Sequence, residues 1–304
     1  MTTTTPPPAN EHISGAAALR RRLAEGPRPL RLLQAHDGLS ARVAATAVVG
    51  NGPQQRRFDG LWVGSLADSA TRAQPDEEMV DLGSRLASLA WTLDASPLPA
   101  VFDGDTGGWP EQAAGLVRRL ARLGVAAVVF EDKAGRKRNS LEAAADVHQP
   151  AASIASFCTK LQAAVAARPP HGPLVVARIE SLLRGESVEA ALERAHAYVG
   201  AGADALLIHG RGPSADPVLE VARRCRASDI RVPLFAVPTG YPDAHEEQLV
   251  EAGIDVVVYA NQLLRAALAT MQHTAQTLLR EGRADAVESD CVPFADLLRF
   301  IDQQ

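Results

Sequence analysis

Eight short apolar runs, each followed by a stretch of helical character, recur along the 304 residues and restrict the folds open to this chain. They are Leu30–Ala35, Gly60–Ser65, Pro99–Asp105, Ala126–Glu131, Leu174–Glu180, Ala205–His209, Leu234–Thr239 and Val256–Asn261. Most are continuous in Val, Ile, Leu and Ala instead of alternating, as parallel strands buried on both faces require. Amphipathic segments such as Glu111–Leu123, Val188–Ala201 and Asp243–Ala252 lie between them. Gly124, Gly202 and Gly253, each just before a run, predict helix C-caps. The segments AGADALLIHG (201–210) and AGIDVVVYAN (252–261) repeat one helix–glycine–strand unit. Eight such units predict a closed (β/α)8 barrel, and the absence of G-x-G-x-x-G after the first run argues against an open dinucleotide-binding sheet.

One barrel of about 250 residues plus extensions accounts for the length. The sequence predicts a disordered tail over 1–15, Thr/Pro-rich from Met1 to Asn10, and a single barrel domain over 16–304. Gly50–Asp59 reads as a polar surface loop, and Val292–Ile301 as a helix outside the eight modules. The net charge of −5 and the lack of a long basic run argue against nucleic acid as a partner. The short cluster Arg20-Arg21-Arg22 reads as the solvated face of an N-terminal helix. Cys158, Cys225 and Cys291 lie far apart without C-x-x-C spacing, so neither a disulfide framework nor a zinc site is expected. With no signal-peptide core and no run near the roughly 20 apolar residues of a membrane span, the expectation is a soluble cytoplasmic protein without a membrane partner.

In such a barrel chemistry sits at the C-terminal ends of the strands, so polar residues there carry the functional signal. The third run ends Phe102-Asp103-Gly104-Asp105-Thr106 and the fourth Phe130-Glu131-Asp132-Lys133. The fifth ends at Arg178 and Glu180, the sixth at His209 and the eighth at Asn261. Asp103 and Asp105, one residue apart on a strand, point to the same side. With Glu131 they form a set of hard oxygen ligands without thiolate, which favours Mg2+ over Zn2+. Helix capping or pairing with arginine is the competing reading of each acid. Arg178 offers a planar fork for carboxylate or phosphate, and His209 gains its weight from that neighbour.

The stretch Glu131–Ser140, EDKAGRKRNS, follows a strand and has no apolar period. It predicts a mobile loop carrying cations and hydrogen-bond donors over the barrel mouth. Lys133 and Lys137 are two of only three lysines, the other being Lys160, among 31 basic residues. A compact ammonium does not substitute for a guanidinium in a tight site, so the pair suggests a requirement. A merely solvated basic loop is the alternative.

These residues resemble the phosphoenolpyruvate mutase branch of the isocitrate lyase superfamily, from about Ala35 to Arg265. The likeness rests on AHDGLSA at Ala35–Ala41, DGDTG at Asp103–Gly107, and EDK with a later Lys and Asn-Ser within Glu131–Ser140. It continues in VAR at Val176–Arg178 with Glu180, ADALLIH at Ala203–His209, VPT at Val237–Thr239, and YAN followed by LRA within Tyr259–Ala266. The resemblance implies a barrel whose eighth helix is exchanged between subunits of a homodimer or homotetramer. It implies that Asp103, Asp105 and Glu131 hold Mg2+ and the enolate or pyruvyl oxygens. It further implies that Arg178, His209, Asn139 and Ser140 hold the transferring phosphoryl group. Asp76 falls where the family has its catalytic aspartate, with Lys137 beside it in the catalytic set. Trp62 and the backbone around Gly64-Ser65 would cradle the carboxylate or phosphonate end.

The implied activity is interconversion of phosphoenolpyruvate and 3-phosphonopyruvate, the P–C bond-forming step of phosphonate biosynthesis. Hydrolysis of phosphonopyruvate to pyruvate and phosphate is the nearest alternative, in relatives with Thr-Ser where this loop reads Asn139-Ser140. A mutase for a related enolpyruvate such as the arsenic analogue is another. The C–C lyases of the superfamily use a loop cysteine that this chain lacks, and intact Asp76, Asp103, Asp105, Glu131 and Lys137 argue against a non-catalytic barrel. Three departures stand out. Trp62-Val63-Gly64-Ser65 replaces Trp-Gly-Ser-Gly, Gly107-Gly108-Trp109 replaces Gly-Tyr-Gly and is about one residue shorter, and Gly210 replaces serine. All three are expected near the substrate.

Overall fold

The computed structural model describes residues 14–25, 28–135, 137–140 and 149–302. Each of the eight apolar runs forms a strand: β1 (Leu30–Gln34), β2 (Gly60–Val63), β3 (Ala100–Asp103), β4 (Ala127–Glu131), β5 (Leu174–Ile179), β6 (Ala205–Ile208), β7 (Leu234–Ala236) and β8 (Val256–Tyr259). Successive strands pair in parallel and β8 returns to β1, so the sheet closes as a (β/α)8 barrel. Most strands stop short of the runs that predicted them. At β7 the ladder ends at Ala236 because Pro238 opens a 3-10 turn over Pro238–Gly240, and proline has no N–H to extend a ladder.

Helices α1 (Gly15–Glu25), α2 (Gly38–Thr46), α3 (Ser65–Ala70), α4 (Leu82–Asp94), α5 (Pro110–Arg122), α6 (Ile154–Ala166), α7 (Val188–Gly200), α8 (Asp216–Ala227) and α9 (Glu246–Glu251) accompany the strands. The helix α10 (Gln262–Glu281) and α11 (Phe294–Asp302) complete the chain, the latter where an extra C-terminal helix was expected. In α5, Ala113, Leu116, Val117 and Leu120 are buried at helical spacing and face the barrel. Burying a leucine such as Leu120 stabilises the fold by about 2 kcal/mol.

Two apolar layers result. Inside the barrel, Leu30, Leu32, Val101, Val129, Val176, Leu207, Phe235 and Val258 pack with Trp62. Ala16, Leu19 and Leu23 of α1 join this inner cluster. The larger outer layer lies between strands and helices and includes Phe102, Phe130, Phe157 and Tyr198. The polar groups of the strand ends therefore stand on a rigid, filled cylinder.

Three expectations are corrected. The expected tail over 1–15 overlaps α1, which starts at Gly15; its residues 1–13 lie outside the described residues. Arg20 and Arg22 do not form a simple solvated face: Arg20 donates to the carbonyl of Gly172 at 3.0 Å and Arg22 to that of Asp59. The segment Gly50–Asp59 is not all loop, since Val48–Val49 pairs antiparallel with Arg56–Arg57 around a 3-10 turn at Gly52–Gln54. Both two-residue strands are exposed on every side chain, which leaves no apolar alternation to read. The loop after β4, expected to carry cations over the barrel mouth, buries Lys133 and Lys137, unlike the merely solvated loop that was the alternative.

Candidate active site

Asp103 ends β3 and Glu131 ends β4. Asp105 is not on the strand, as the simple i, i+2 reading supposed. It takes a left-handed backbone (φ 54°), and its N–H donates to Asp103 Oδ1 at 3.1 Å. Aspartate tolerates that conformation better than most residues, and the turn brings its carboxylate back to its neighbours. Oxygens of Asp103, Asp105 and Glu131 all lie within 4.8 Å of one another, and all three residues are buried.

The loop after β4 folds into the mouth. Lys137 Nζ stands 2.8 Å from Asp76 Oδ1 and also pairs with Asp105 and with Ser65 Oγ. Asn139 Nδ2 donates to the other oxygen of Asp76 at 2.7 Å. Ser140 Oγ accepts from Arg178 Nη2 at 2.8 Å and lies 3.0 Å from Glu180 Oε2. Arg178, on β5, reaches Glu131 at 2.9 Å, Glu180 at 2.6 Å and His209 Nδ1 at 2.7 Å. The cavity so enclosed, about 60 Å³, is lined by Trp62, Gly64, Ser65, Asp76, Asp103, Glu131, Lys137, Asn139, Ser140, Arg178 and His209, joined by Leu66, Val237, Ala260 and Asn261. Eleven of the twelve residues singled out in the sequence thus share one wall, and Asp105 meets it through Lys137.

Electrostatics separate the two aspartates. Burial foremost, with Asp105 beside it, raises Asp103 to about 6. Burial acts on Asp105 too, but Lys137 and Arg85 outweigh it and hold that group at about 2. On Lys137, burial is overcome by Asp105, Glu131 and the other acids, so its ammonium is locked in the charged state. Burial, then the Arg178 guanidinium, push His209 below its ordinary 6.5, and it is neutral at pH 7. Its Nδ1 lies 2.8 Å from Glu180 Oε1 as well as beside Arg178.

Several further residues support the site. Arg85 of α4 is buried, with its ring-stacked guanidinium 4.5 Å over Phe102, and bonds Asp68 at 3.0 Å, Asp105 at 2.7 Å and the carbonyl of Asp103 at 2.6 Å. On an amphipathic helix, nothing in sequence distinguishes such an arginine from a surface one. Lys133 lies 2.9 Å from Glu131 and 3.4 Å from Glu180; the scarcity of lysine was its only signal. Asp132 is fully buried and accepts from the Glu180 N–H at 3.0 Å, Arg184 and Arg194 at 3.2 Å, and Tyr198 at 2.9 Å. It thereby fixes the residue that holds both Arg178 and His209.

At two of the departures a side chain would be crowded. A Cβ on Gly64 would stand 2.7 Å from the Trp62 ring, and one on Gly210 would stand 2.5 Å from Val218. Serine fits neither place. Gly210 and Trp109 do not line the cavity, and Trp109 is 75% exposed, so two of the three departures expected near the substrate lie away from it.

The acidic triad fits a hard divalent cation. Both Glu131 oxygens are buried without a hydrogen-bond partner among the described residues, although cations stand nearby. Asp103, Asp105 and Glu131 bring three carboxylates within reach of one cation.

Known proteins place this geometry in context. A phosphoenolpyruvate phosphomutase from Streptomyces hygroscopicus is 34% identical over 286 residues, covering 93% of this chain and 87% of that protein. The crystal structure of a phosphoenolpyruvate phosphomutase from Streptomyces platensis subsp. rosaceus superposes with a TM-score of 0.86 at 36% identity, covering 94% of both chains. A phosphonopyruvate hydrolase, solved as a complex with oxalate and Mg++, gives a TM-score of 0.82 at 29% identity over 94% of both chains. The phosphoenolpyruvate phosphomutase family profile matches residues 19–279. By its barrel, its acidic strand ends and this match across most of its length, the chain belongs to the phosphoenolpyruvate phosphomutase family.

Proposed function

We propose that this protein is a phosphoenolpyruvate mutase, interconverting phosphoenolpyruvate and 3-phosphonopyruvate. The observation that carries the reading is the grip of the β4 loop on Asp76 in the wall of the cavity: Lys137 on one oxygen and Asn139 on the other. The reaction breaks the bond from phosphorus to the enol oxygen and forms one to C3, with no proton gained or lost. Such a site needs charge placement and exclusion of water more than an acid–base pair. A permanently charged Lys137, a neutral His209 and a guanidinium at Arg178 suit that demand.

In this reading Arg178, His209, Asn139 and Ser140 grip the phosphoryl group, while Asp76 accepts it or guides its passage. Trp62 and the backbone of Gly64 and Ser65 hold the carboxylate end. Asp103, Asp105 and Glu131 would hold Mg2+, as the hydrolase solved with oxalate and Mg++ supports. When bound, Mg2+ would supply neutralising charge for the enolate oxygen.

The chain is further proposed to work as a homodimer or homotetramer with its eighth helix exchanged. Supporting this, α10 buries only Thr277 and exposes Leu268, Met271 and Leu279. A groove of about 290 Å³ beside β1 and β8 is lined by Val49, Phe58 and Tyr259. Among the described residues no helix is long and apolar enough to cross a membrane, and three free thiols suit a reducing cytoplasm.

The test is 31P NMR of the purified protein with Mg2+ and phosphonopyruvate. Conversion to phosphoenolpyruvate without free phosphate is expected. Free phosphate with pyruvate would make the protein a hydrolase, and an unchanged spectrum would direct attention to another enolpyruvate, such as the arsenic analogue.

A further inference from the structure

Asn261 follows β8 and occupies the N-cap position of α10. Asparagine is among the strongest N-cap residues because its side-chain oxygen can accept from the N–H of the second or third helical residue. Here the side chain makes no capping bond. Leu264, the third residue of the helix, donates instead to Oε1 of Gln34 at the end of β1, at 3.1 Å. The Asn261 N–H is taken by Gln262 Oε1, also at 3.1 Å. Two other side chains thus serve the start of this helix.

Asn261 lines the cavity together with Trp62 and Val237, and the residue is 5% exposed. Its Oδ1 is buried with no hydrogen-bond partner among the described residues. Leaving such an oxygen unsatisfied costs about 1–3 kcal/mol. A residue relieved of capping and buried at that cost is built for a partner that enters the cavity.

We propose that Asn261 is a substrate-contacting residue whose amide hydrogen-bonds an anionic oxygen of the substrate from the β8 side, across the barrel from Glu131. The two ends of the amide exchange by rotation about χ2, so Nδ2 can be presented to an anion. This inference rests on the proposed reading of the cavity as the substrate site. The oxygen belongs either to the carboxylate or to the migrating phosphonyl group.

The experiment measures binding of oxalate and of sulfopyruvate, each with Mg2+, to the full-length wild-type protein, Asn261→Ala and Asn261→Asp. Melting temperatures and phosphonopyruvate kinetics are taken in parallel. Asn261→Ala is expected to weaken binding about tenfold, the worth of one hydrogen bond to a charged group, and to act on KM more than on kcat. Asn261→Asp is expected to weaken it further, because a carboxylate then faces the anion. Tm of Asn261→Ala should not fall below wild type, since the side chain caps nothing and its buried oxygen is unpartnered among the described residues. Weakening of both anions assigns the bond to the carboxylate, and weakening of sulfopyruvate alone assigns it to the phosphonyl position. Wild-type affinity for both anions in Asn261→Ala would overturn the proposal, whatever its Tm. If the wild-type protein binds sulfopyruvate without converting phosphonopyruvate, the mutase reading fails while the affinities still decide the role of Asn261. Binding of neither anion would overturn both.

Discussion

The two halves of the barrel mouth are built differently. From β3 to β6, nearly every strand end carries a charged or titratable group: Asp103, Asp105, Glu131, Arg178, Glu180 and His209, with Lys133 and Lys137 laid in by the loop. From β7 around to β2 the wall is Val237, Ala260, Asn261, Trp62 and Gly64. In a low-dielectric pocket fixed charges act strongly and need no rearrangement as the reaction proceeds. The charged half is therefore equipped to handle developing charge, and the other half to set shape and exclude water. Asp76 is the exception that joins them, since it follows β2 and α3 but is held by the loop from β4.

This contrast is open to direct attack. Replacing Asp76 with alanine removes the carboxylate shared by both halves; a loss of turnover of about 10³-fold or more is expected, with substrate still binding by calorimetry. Full activity in that variant would remove Asp76 from the reaction. Glu131→Gln should weaken Mg2+ binding by about 100-fold or more, measured by calorimetric titration, while Tm of the metal-free protein changes little. Asn139→Thr is a subtler change on the same loop. It should shift product partitioning several-fold toward pyruvate and phosphate in 31P spectra, and unchanged partitioning would show that this asparagine does not set the reaction type.

The smallest effect expected concerns acid stability. Burial opposes the charge on Glu180, but Arg178, His209 and Lys133 outweigh it and hold the carboxyl well below the ordinary 4.5. Its folded-state pKa is depressed, so its contribution is complete above about pH 4.5 and is lost as pH falls toward the folded value. The Tm gap between wild type and Glu180→Gln should therefore narrow on acidification from about pH 5 to pH 3. A gap that stays constant would mean that Glu180 is not held ionised by these neighbours.

The strands were legible in sequence because a strand covered on both faces needs an apolar residue at every position, and the helix–glycine–strand repeat fixed their order. The triad was legible because strand ends, and the residues just past them, present acids to the mouth of such a barrel. What escaped notice depends on reach rather than pattern. Arg85 crosses from α4 to Asp105, and Gln34 crosses from β1 to the start of α10; neither partner can be inferred from spacing. Trp109, expected near the substrate, is instead turned to solvent.

The sparse burial of α10 has a consequence for the molecule as a whole. An isolated helix of 20 residues is only marginally stable in water, and this one takes almost no apolar cover from its own chain. If a second copy provides that cover, the order of the helix becomes a matter of mass action. The folding of this segment is then paid for by association, and the temperature at which it melts rises with protein concentration.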